Sequence, residues 1–170
     1  MSGETGWLPP LVLLEDSNGN WAAYEEALYS WFKKDFLDSR PSFPGKRMGL
    51  KRYPLSKNKE ATFWHFISEG ETEEDRLIDL RRCECIRWPR PVIEAFPNQQ
   101  PSANSRVVWW RNQRKGEWRF VLALPDFSYV VVVVDRGEYV LPWTAYCVER
   151  QHQRDKLQNE YGRYWQIQKS

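Results

Sequence analysis

Two histidines are the candidates for acid–base catalysis in this chain, because histidine titrates near neutral pH. His65 lies in a Phe-Trp-His-Phe segment that we predict to be a strand. A histidine held there by aromatic packing would suit proton transfer, and a buried structural histidine bonded to a backbone carbonyl is the alternative. His152 lies in the last predicted helix, where it shares one face with Lys156, Asn159 and Arg163. That face would either bind the phosphates of a nucleic acid or be an ordinary solvent-exposed surface.

Arginines cluster in two parts of the chain and suit phosphate binding, because the guanidinium fork matches phosphate geometry. The first cluster consists of Arg81, Arg82 and Arg87, and the second consists of Arg106, Arg111, Arg114 and Arg119. Trp109 and Trp110 lie between members of the second cluster. These rings would either stack on bases or belong to the core.

Charged residues occur in blocks that the net charge of +2 conceals. Residues 1–38 hold seven acidic residues against two lysines. Residues 40–60 hold seven basic residues against one glutamate, and residues 81–119 hold nine against three. A basic face built from these blocks would attract a polyanion, and the acidic segment would cover that face or dock a partner. An ordinary surface of ion pairs is the alternative.

The sequence contains no recognisable motif for cofactor or metal chemistry. Its nine glycines form neither a GxGxxG motif nor a P-loop, and no serine lies in a GxSxG motif, so we expect no cofactor. Cys83 and Cys85 would point apart on a helix, and we expect no metal site. The odd number of cysteines, without a signal-peptide pattern or a membrane-length apolar run, indicates a cytoplasmic protein that does not contact membranes.

The spacing of apolar and turn residues predicts a single α+β domain over residues 1–170. We expect helices at 21–36, 74–87 and 148–167, and a short helix that ends near 96. Four strands between 106 and 143 are separated by turns of two to four residues, so they form an antiparallel meander. Residues 1–40 would be a helical attachment to a core that spans 60–165.

Four segments within residues 60–161 carry a resemblance to a known family. They are the aromatic strand 62–67, the arginine-rich helix 79–88, the strand pair 129–135 and 139–146, and the helix 154–161. Together with the order of helices followed by a meander, they make the chain similar to prophage- and toxin-associated nucleases of the barnase–EndoU–colicin–RelE superfamily.

The resemblance implies a metal-independent endoribonuclease that uses the RNA 2′-hydroxyl as nucleophile and leaves a cyclic phosphate. His65 would be the general base or acid, and Arg82 would clamp the phosphate, with Arg81 as the competing choice. Thr144 would hydrogen-bond the phosphate. Lys156 or His152 would add positive charge.

The resemblance also implies partners. RNA would lie along basic side chains of the two basic blocks, namely Lys46, Arg47, Lys51, Arg52, Arg81 and Arg111, with His152 on the last helix. A cognate antitoxin or immunity protein would be a second partner. The alternative is a non-catalytic RNA-binding or protein-interaction module that retains the fold and has lost catalysis.

Overall fold

The computed structural model describes residues 6–169. Its helices are α1 (Trp21–Phe32), α2 (Ala61–Ile67), α3 (Leu80–Glu84), α4 (Pro89–Glu94) and α5 (Gln151–Gln168). Its strands are β1 (Arg47–Met48), β2 (Ser68–Glu69), β3 (Leu77–Ile78), β4 (Val108–Arg114), β5 (Glu117–Ala123), β6 (Tyr129–Asp135) and β7 (Tyr139–Cys147). Within this range no helix has the length and hydropathy that crossing a bilayer requires.

The main sheet has the strand order β1-β7-β6-β5-β4. Strands β4 to β7 pair antiparallel in sequence order, which confirms the predicted meander and the α+β class. The tight turn between β4 and β5 uses Lys115 and Gly116, both with positive φ, as a two-residue hairpin turn requires. The sheet has five strands where we predicted four, and the fifth lies in the segment 45–60, for which irregular structure and short edge strands were both open. Strand β1 is only two residues long and pairs parallel with β7, so the sheet is mixed.

Different helices cover the two faces of the sheet. On one face Phe120, Val131 and Val133 belong to a large apolar cluster with side chains of α1 to α4. On the other face a smaller cluster contains Trp110 and Val132 together with Leu157, Tyr161 and Tyr164 of α5. Helix α5 contacts this second face over β4. The part of the second face near β7 is therefore left for the cleft described below.

Helix α1 contributes to the large cluster rather than lying apart from it. Asn20 caps the helix by accepting a hydrogen bond from the amide of Ala23. Leu28 and Phe32 are fully buried, and a π-helical turn over Lys33–Leu37 extends the helix to the predicted end. The aromatic ring of Phe32 contacts Phe63 at a centroid distance of 5.5 Å. The N-terminal segment thus shares its core with the rest of the chain.

The strand predicted around His65 is wrong, because residues 61–67 form helix α2. Phe63 and Phe66 both contact the aromatic rings of α1. Residues three apart lie on the same side of a helix but on opposite faces of a strand. Only the helix buries both rings against α1, and this packing outweighs the β propensity of the aromatic sequence.

The helix predicted over 74–87 is wrong at its start. Strands β2 and β3 form a hairpin instead, and Gly70 lies in it at φ +151°, where a Cβ atom would come within 2.8 Å of the backbone of Arg76. The carboxylate of Asp79 accepts hydrogen bonds from the amides of Arg81 and Arg82. This N-cap starts α3 at Leu80, and the helix ends at Glu84.

Replacing Leu28 with alanine tests whether α1 is part of the domain core. The change leaves a cavity beneath α1, so we expect Leu28→Ala to lower the free energy of unfolding by about 2–5 kcal/mol. The exposed Ser30→Ala on the same helix is the control and should change it by less than about 0.5 kcal/mol. Urea unfolding measures both. Equal, small effects would mean that α1 is only attached to the domain.

Candidate active site

A cleft of about 660 Å³ lies on the face of the sheet that α5 leaves uncovered near β7. The β2–β3 hairpin borders it on one side and the β4–β5 turn on another. Its lining consists of Lys51, His65, Glu69, Gly70, Glu71, Thr72, Glu73, Arg76, Arg82, Arg114, Lys115, Glu117, Arg119, Val134, Trp143, Thr144 and Tyr146. The lining therefore holds six cationic side chains against four carboxylates, with one histidine among them.

His65 lies in α2 and forms part of the cleft wall. Its Nε2 is 2.9 Å from Glu73 Oε1, a carboxylate carried by the β2–β3 hairpin. Its ring lies edge-on to Trp143 at a centroid distance of 5.5 Å. His65 Nδ1 has no hydrogen-bond partner among residues 6–169 and is not fully buried. The imidazole is thus held through Nε2, and Nδ1 is free to exchange a proton.

The electrostatic surroundings favour neutral His65 beside ionised Glu73. Burial lowers the pKa of His65, and the hydrogen bond with Glu73 only partly offsets this effect. Burial alone would raise the pKa of Glu73, but the hydrogen bond from His65 and the nearby cations lower it. Neutral His65 therefore donates its Nε2 proton to the carboxylate, which leaves Nδ1 as a proton acceptor.

Arg82 links α3 to two other parts of the cleft. Its Nη1 donates to the carbonyl of Ser68 at 2.6 Å, to Thr144 Oγ1 at 3.0 Å and to the carbonyl of His65 at 3.3 Å. Its Nη2 is 4.0 Å from a carboxylate oxygen of Glu69, and its Nε is buried without a hydrogen bond. The guanidinium therefore holds the end of α2 against β7, and Nη2 has the greatest remaining capacity to bind a ligand.

A β-bulge places Thr144 in the cleft beside Trp143. The register between β6 and β7 shifts so that Val132 pairs with Thr144 and Val133 pairs with Pro142. The extra residue, Trp143, turns toward the cleft together with Thr144. The hydroxyl of Thr144 accepts from Arg82 and donates to the carbonyl of His65 at 3.3 Å.

The cations of the cleft divide into two groups. Arg76 donates to Ser68 Oγ, to the Ser68 carbonyl and to the Gly70 carbonyl, so it holds the hairpin closed. Arg119 bonds only through Nε, to Asn112 Oδ1 at 2.9 Å, and its Nη groups have no partner in the described part of the chain. The Asn112 amide in turn donates to Glu160 of α5 at 2.8 Å. Arg119 is thus positioned by α5 and available to an anion.

Three further side chains complete the positive lining. The Lys51 ammonium lies over the Trp143 ring at 4.9 Å and 3.9 Å from a Glu73 carboxylate oxygen. Arg114 and Lys115 are exposed at the β4–β5 turn. These three side chains can move toward a ligand, because none of them donates a short hydrogen bond within the described residues.

The structure brings together three of the four predicted catalytic residues. His65, Arg82 and Thr144 all line the cleft and contact one another through the hydrogen bonds above. Lys156 does not line the cleft, and neither does His152; both are exposed on α5. The structure therefore does not bring them to the site where we expected them, because the side of α5 that packs on the sheet carries Leu157 instead.

Most of the predicted RNA-binding residues also lie outside the cleft, and Lys51 is the exception. Several of them are paired with acids within the chain, namely Lys46 with Asp135, Arg52 with Glu60, Arg81 with Glu84 and Glu149, and Arg111 with Asp135. Arg47 lies over the Tyr139 ring at 5.7 Å. Acidic residues of α1 pair in the same way with Lys57 and Lys59. Much of the basic block at 40–60 is thus compensated internally.

Glu73 is the main site residue that the sequence did not reveal. It directly precedes the helix predicted over 74–87, at an end where acidic residues are common, and no local pattern distinguishes it from Glu71 or Glu74. Only the hairpin β2–β3 brings it to His65. Arg119 was noticed within its cluster, but its connection to α5 through Asn112 depends on tertiary structure.

No family model, curated protein or solved structure matches this chain. The superfamily resemblance therefore remains a prediction. Among residues 6–169, no group of three or more histidine, cysteine, aspartate or glutamate side chains is arranged to hold a metal ion. The chemistry proposed below is built on the geometry of the cleft.

Replacing Thr144 tests the link between Arg82 and α2. Thr144→Val removes the acceptor of Arg82 and the donor to the His65 carbonyl, so we expect it to cost about 1–3 kcal/mol of stability. Thr144→Ser keeps the hydroxyl and loses only a methyl group, at a cost of about 0.8 kcal/mol. Urea unfolding distinguishes the two variants. Equal losses would show that the methyl group, not the hydroxyl, matters.

Proposed function

We propose that this protein is a metal-independent endoribonuclease and that the cleft is its active site. The observation that carries the proposal is the pair formed by His65 and Glu73 in the wall of a cleft lined by cations. A neutral histidine oriented by a carboxylate is an effective general base, because the carboxylate stabilises the imidazolium that forms.

The kinds of side chain that line the cleft direct the proposal to RNA. RNA carries its own nucleophile, the 2′-hydroxyl adjacent to the scissile phosphate. A base, an acid and cationic donors are therefore sufficient to cleave it, whereas DNA lacks this hydroxyl. The cleft offers these three kinds of group.

In the first step, His65 Nδ1 takes the proton of the 2′-hydroxyl, whose oxygen attacks the phosphorus. Glu73 holds the Nε2 proton of the imidazole and stabilises its positive charge. Negative charge on the phosphorane is met by Arg119 and by Nη2 of Arg82, donors that are already fixed by the fold. The 5′-oxygen then departs and leaves a cyclic phosphate.

Tyr146 is the candidate donor of a proton to the departing 5′-oxygen. Burial raises its pKa, although Arg119 and Arg82 oppose this effect, so the phenol keeps its proton at neutral pH. The Arg82 guanidinium lies over its ring at 5.5 Å. Within the described residues its hydroxyl makes no hydrogen bond, which leaves it available to a substrate oxygen.

The biological setting in this proposal follows the resemblance. The enzyme acts in the cytoplasm, as a toxin-like protein of prophage origin, and a cognate antitoxin or immunity protein restrains it. The odd number of cysteines supports the cytoplasmic location, and the arginine-rich segment 79–88 supports the toxin-like origin. Segment 62–67 does not support that origin, because it forms a helix rather than the strand on which the resemblance was based.

Replacing His65 with glutamine tests the proton transfer. We expect kcat at pH 7 to fall roughly 10²- to 10⁴-fold, the usual contribution of one general base. The wild-type rate should fall in acid with an apparent pKa below the ordinary value of about 6.5, because burial lowers the pKa of His65. This acidic limb should disappear in His65→Gln. Glu73→Gln should move the limb to lower pH, because the carboxylate that stabilises the imidazolium is gone.

Three controls accompany this measurement. Circular dichroism and urea unfolding confirm that both variants fold. An RNA oligonucleotide with a single 2′-deoxy residue at the cleavage site should not be cut, and cleavage of unmodified RNA should persist in EDTA. A folded His65→Gln protein with near-normal cleavage and an unchanged pH profile would show that His65 is structural.

Two charge-removing variants test where the substrate binds. Arg119→Ala removes a fixed donor from the cleft, so we expect kcat/KM to fall roughly 10- to 100-fold, as for a lost hydrogen bond to a charged group. Lys156→Ala makes the same change in charge on α5 and should leave kcat/KM within about a factor of two. The reverse result would move the substrate to the exposed face of α5.

A second candidate function is RNA binding without catalysis. It is favoured by the extent to which Arg82 and Arg76 are engaged with backbone carbonyls, and by the slight exposure of His65, whose residue surface is 6% accessible. In that case a titration with labelled RNA should show binding that Arg119→Ala weakens, but no RNA substrate is cut at any pH.

A further inference from the structure

Two cysteine side chains meet where the end of α3 contacts the end of β7. Cys85 Sγ and Cys147 Sγ are 3.7 Å apart, although 62 residues separate them in the chain. Cys85 is buried, and Cys147 is only half-buried. The third cysteine, Cys83, lies two residues from Cys85 but makes a different contact, because its Sγ is 4.0 Å from the Ile67 carbonyl.

We propose that Cys85 and Cys147 are an oxidation site, at which hydrogen peroxide converts the two thiols into a disulfide. A disulfide requires the two sulfurs to approach from 3.7 Å to about 2.05 Å. Each cysteine lies three residues after a cleft residue, Cys85 after Arg82 and Cys147 after Thr144. The new bond would thus join the two elements that the Arg82–Thr144 hydrogen bond already connects.

Cys147 is the sulfur that reacts first. A hydrogen bond from Cys85 lowers its pKa, and Arg81 adds to this effect against the opposing effect of burial. The same hydrogen bond, and after it burial, raise the pKa of Cys85, so Cys85 remains a thiol. The thiolate of Cys147 is also the more exposed of the two and can meet a small oxidant.

The reaction balances with one peroxide molecule. The Cys147 thiolate attacks one peroxide oxygen, the O–O bond breaks, and the second oxygen leaves as hydroxide and becomes water. The resulting sulfenic acid is attacked at sulfur by Cys85, which loses its proton, and the S–O bond breaks to release a second water. The two sulfurs together lose two electrons, and the peroxide gains them.

The experiment treats the full-length protein with peroxide, blocks the remaining thiols under denaturing conditions and maps the peptides without reduction. Cleavage after Glu84 is included because it separates Cys83 from Cys85. We expect one cross-linked pair, Cys85 with Cys147, which dithiothreitol removes. The Tm of the oxidised protein should rise by roughly 5–10 °C, because a bond that closes a loop of this length restricts the unfolded chain.

Two serine variants show which cysteines form the cross-link. Cys83→Ser should form it as the wild type does, and Cys147→Ser should not. Mapping of the wild-type protein needs no variant, so a serine variant that fails to fold does not affect the result. A cross-link through Cys83, free thiols at both positions after peroxide, or sulfinic acid at Cys147 without a cross-link would each overturn the proposal. None of these outcomes depends on whether the protein cleaves RNA.

Discussion

The guanidinium of Arg82 is the contact on which the arrangement of the cleft depends. One nitrogen, Nη1, donates to oxygens of His65, Ser68 and Thr144, which belong to a helix, a hairpin and a strand. A buried cation is tolerable when it is paired and hydrogen-bonded. Here Nη1 is shared among three acceptors, and Nε and Nη2 lie 3.7 and 4.0 Å from the carboxylates of Asp79 and Glu69. The same three contacts set the distance between the histidine and β7, so stability and site geometry rest on one side chain.

The arginines of the cleft have two different roles, one structural and one open to a ligand. Arg82 and Arg76 mainly hold the backbone of α2 and the β2–β3 hairpin in place, and the hairpin in turn carries Glu73 to His65. Arg119 is held through only one of its nitrogens and faces the open volume. A cationic cleft with some fixed and some available donors is suited to a ligand that must be both oriented and stabilised as its charge changes.

The sequence was sufficient to predict the meander, because each strand alternates or is continuously apolar and each connecting turn is short. Residue type and the family resemblance also indicated His65, Arg82 and Thr144 as candidate site residues. Prediction from the sequence failed at residues 61–67, where contact of Phe63 and Phe66 with α1 decided the conformation against local propensity. It failed for Glu73 because the hairpin that carries it is two residues long on each side and has no periodicity to detect.

The β-bulge and the contacts of Thr144 have a consequence for how the protein is made. The hydrogen bonds that assemble the cleft span 62 and 79 residues of sequence, and β7 supplies the last of their partners. A chain still on the ribosome has no cleft until β7 has emerged, however well α1 and α2 are formed. During synthesis, the side chains of the cleft therefore come together only after more than 60 residues beyond Arg82 have been added to the chain.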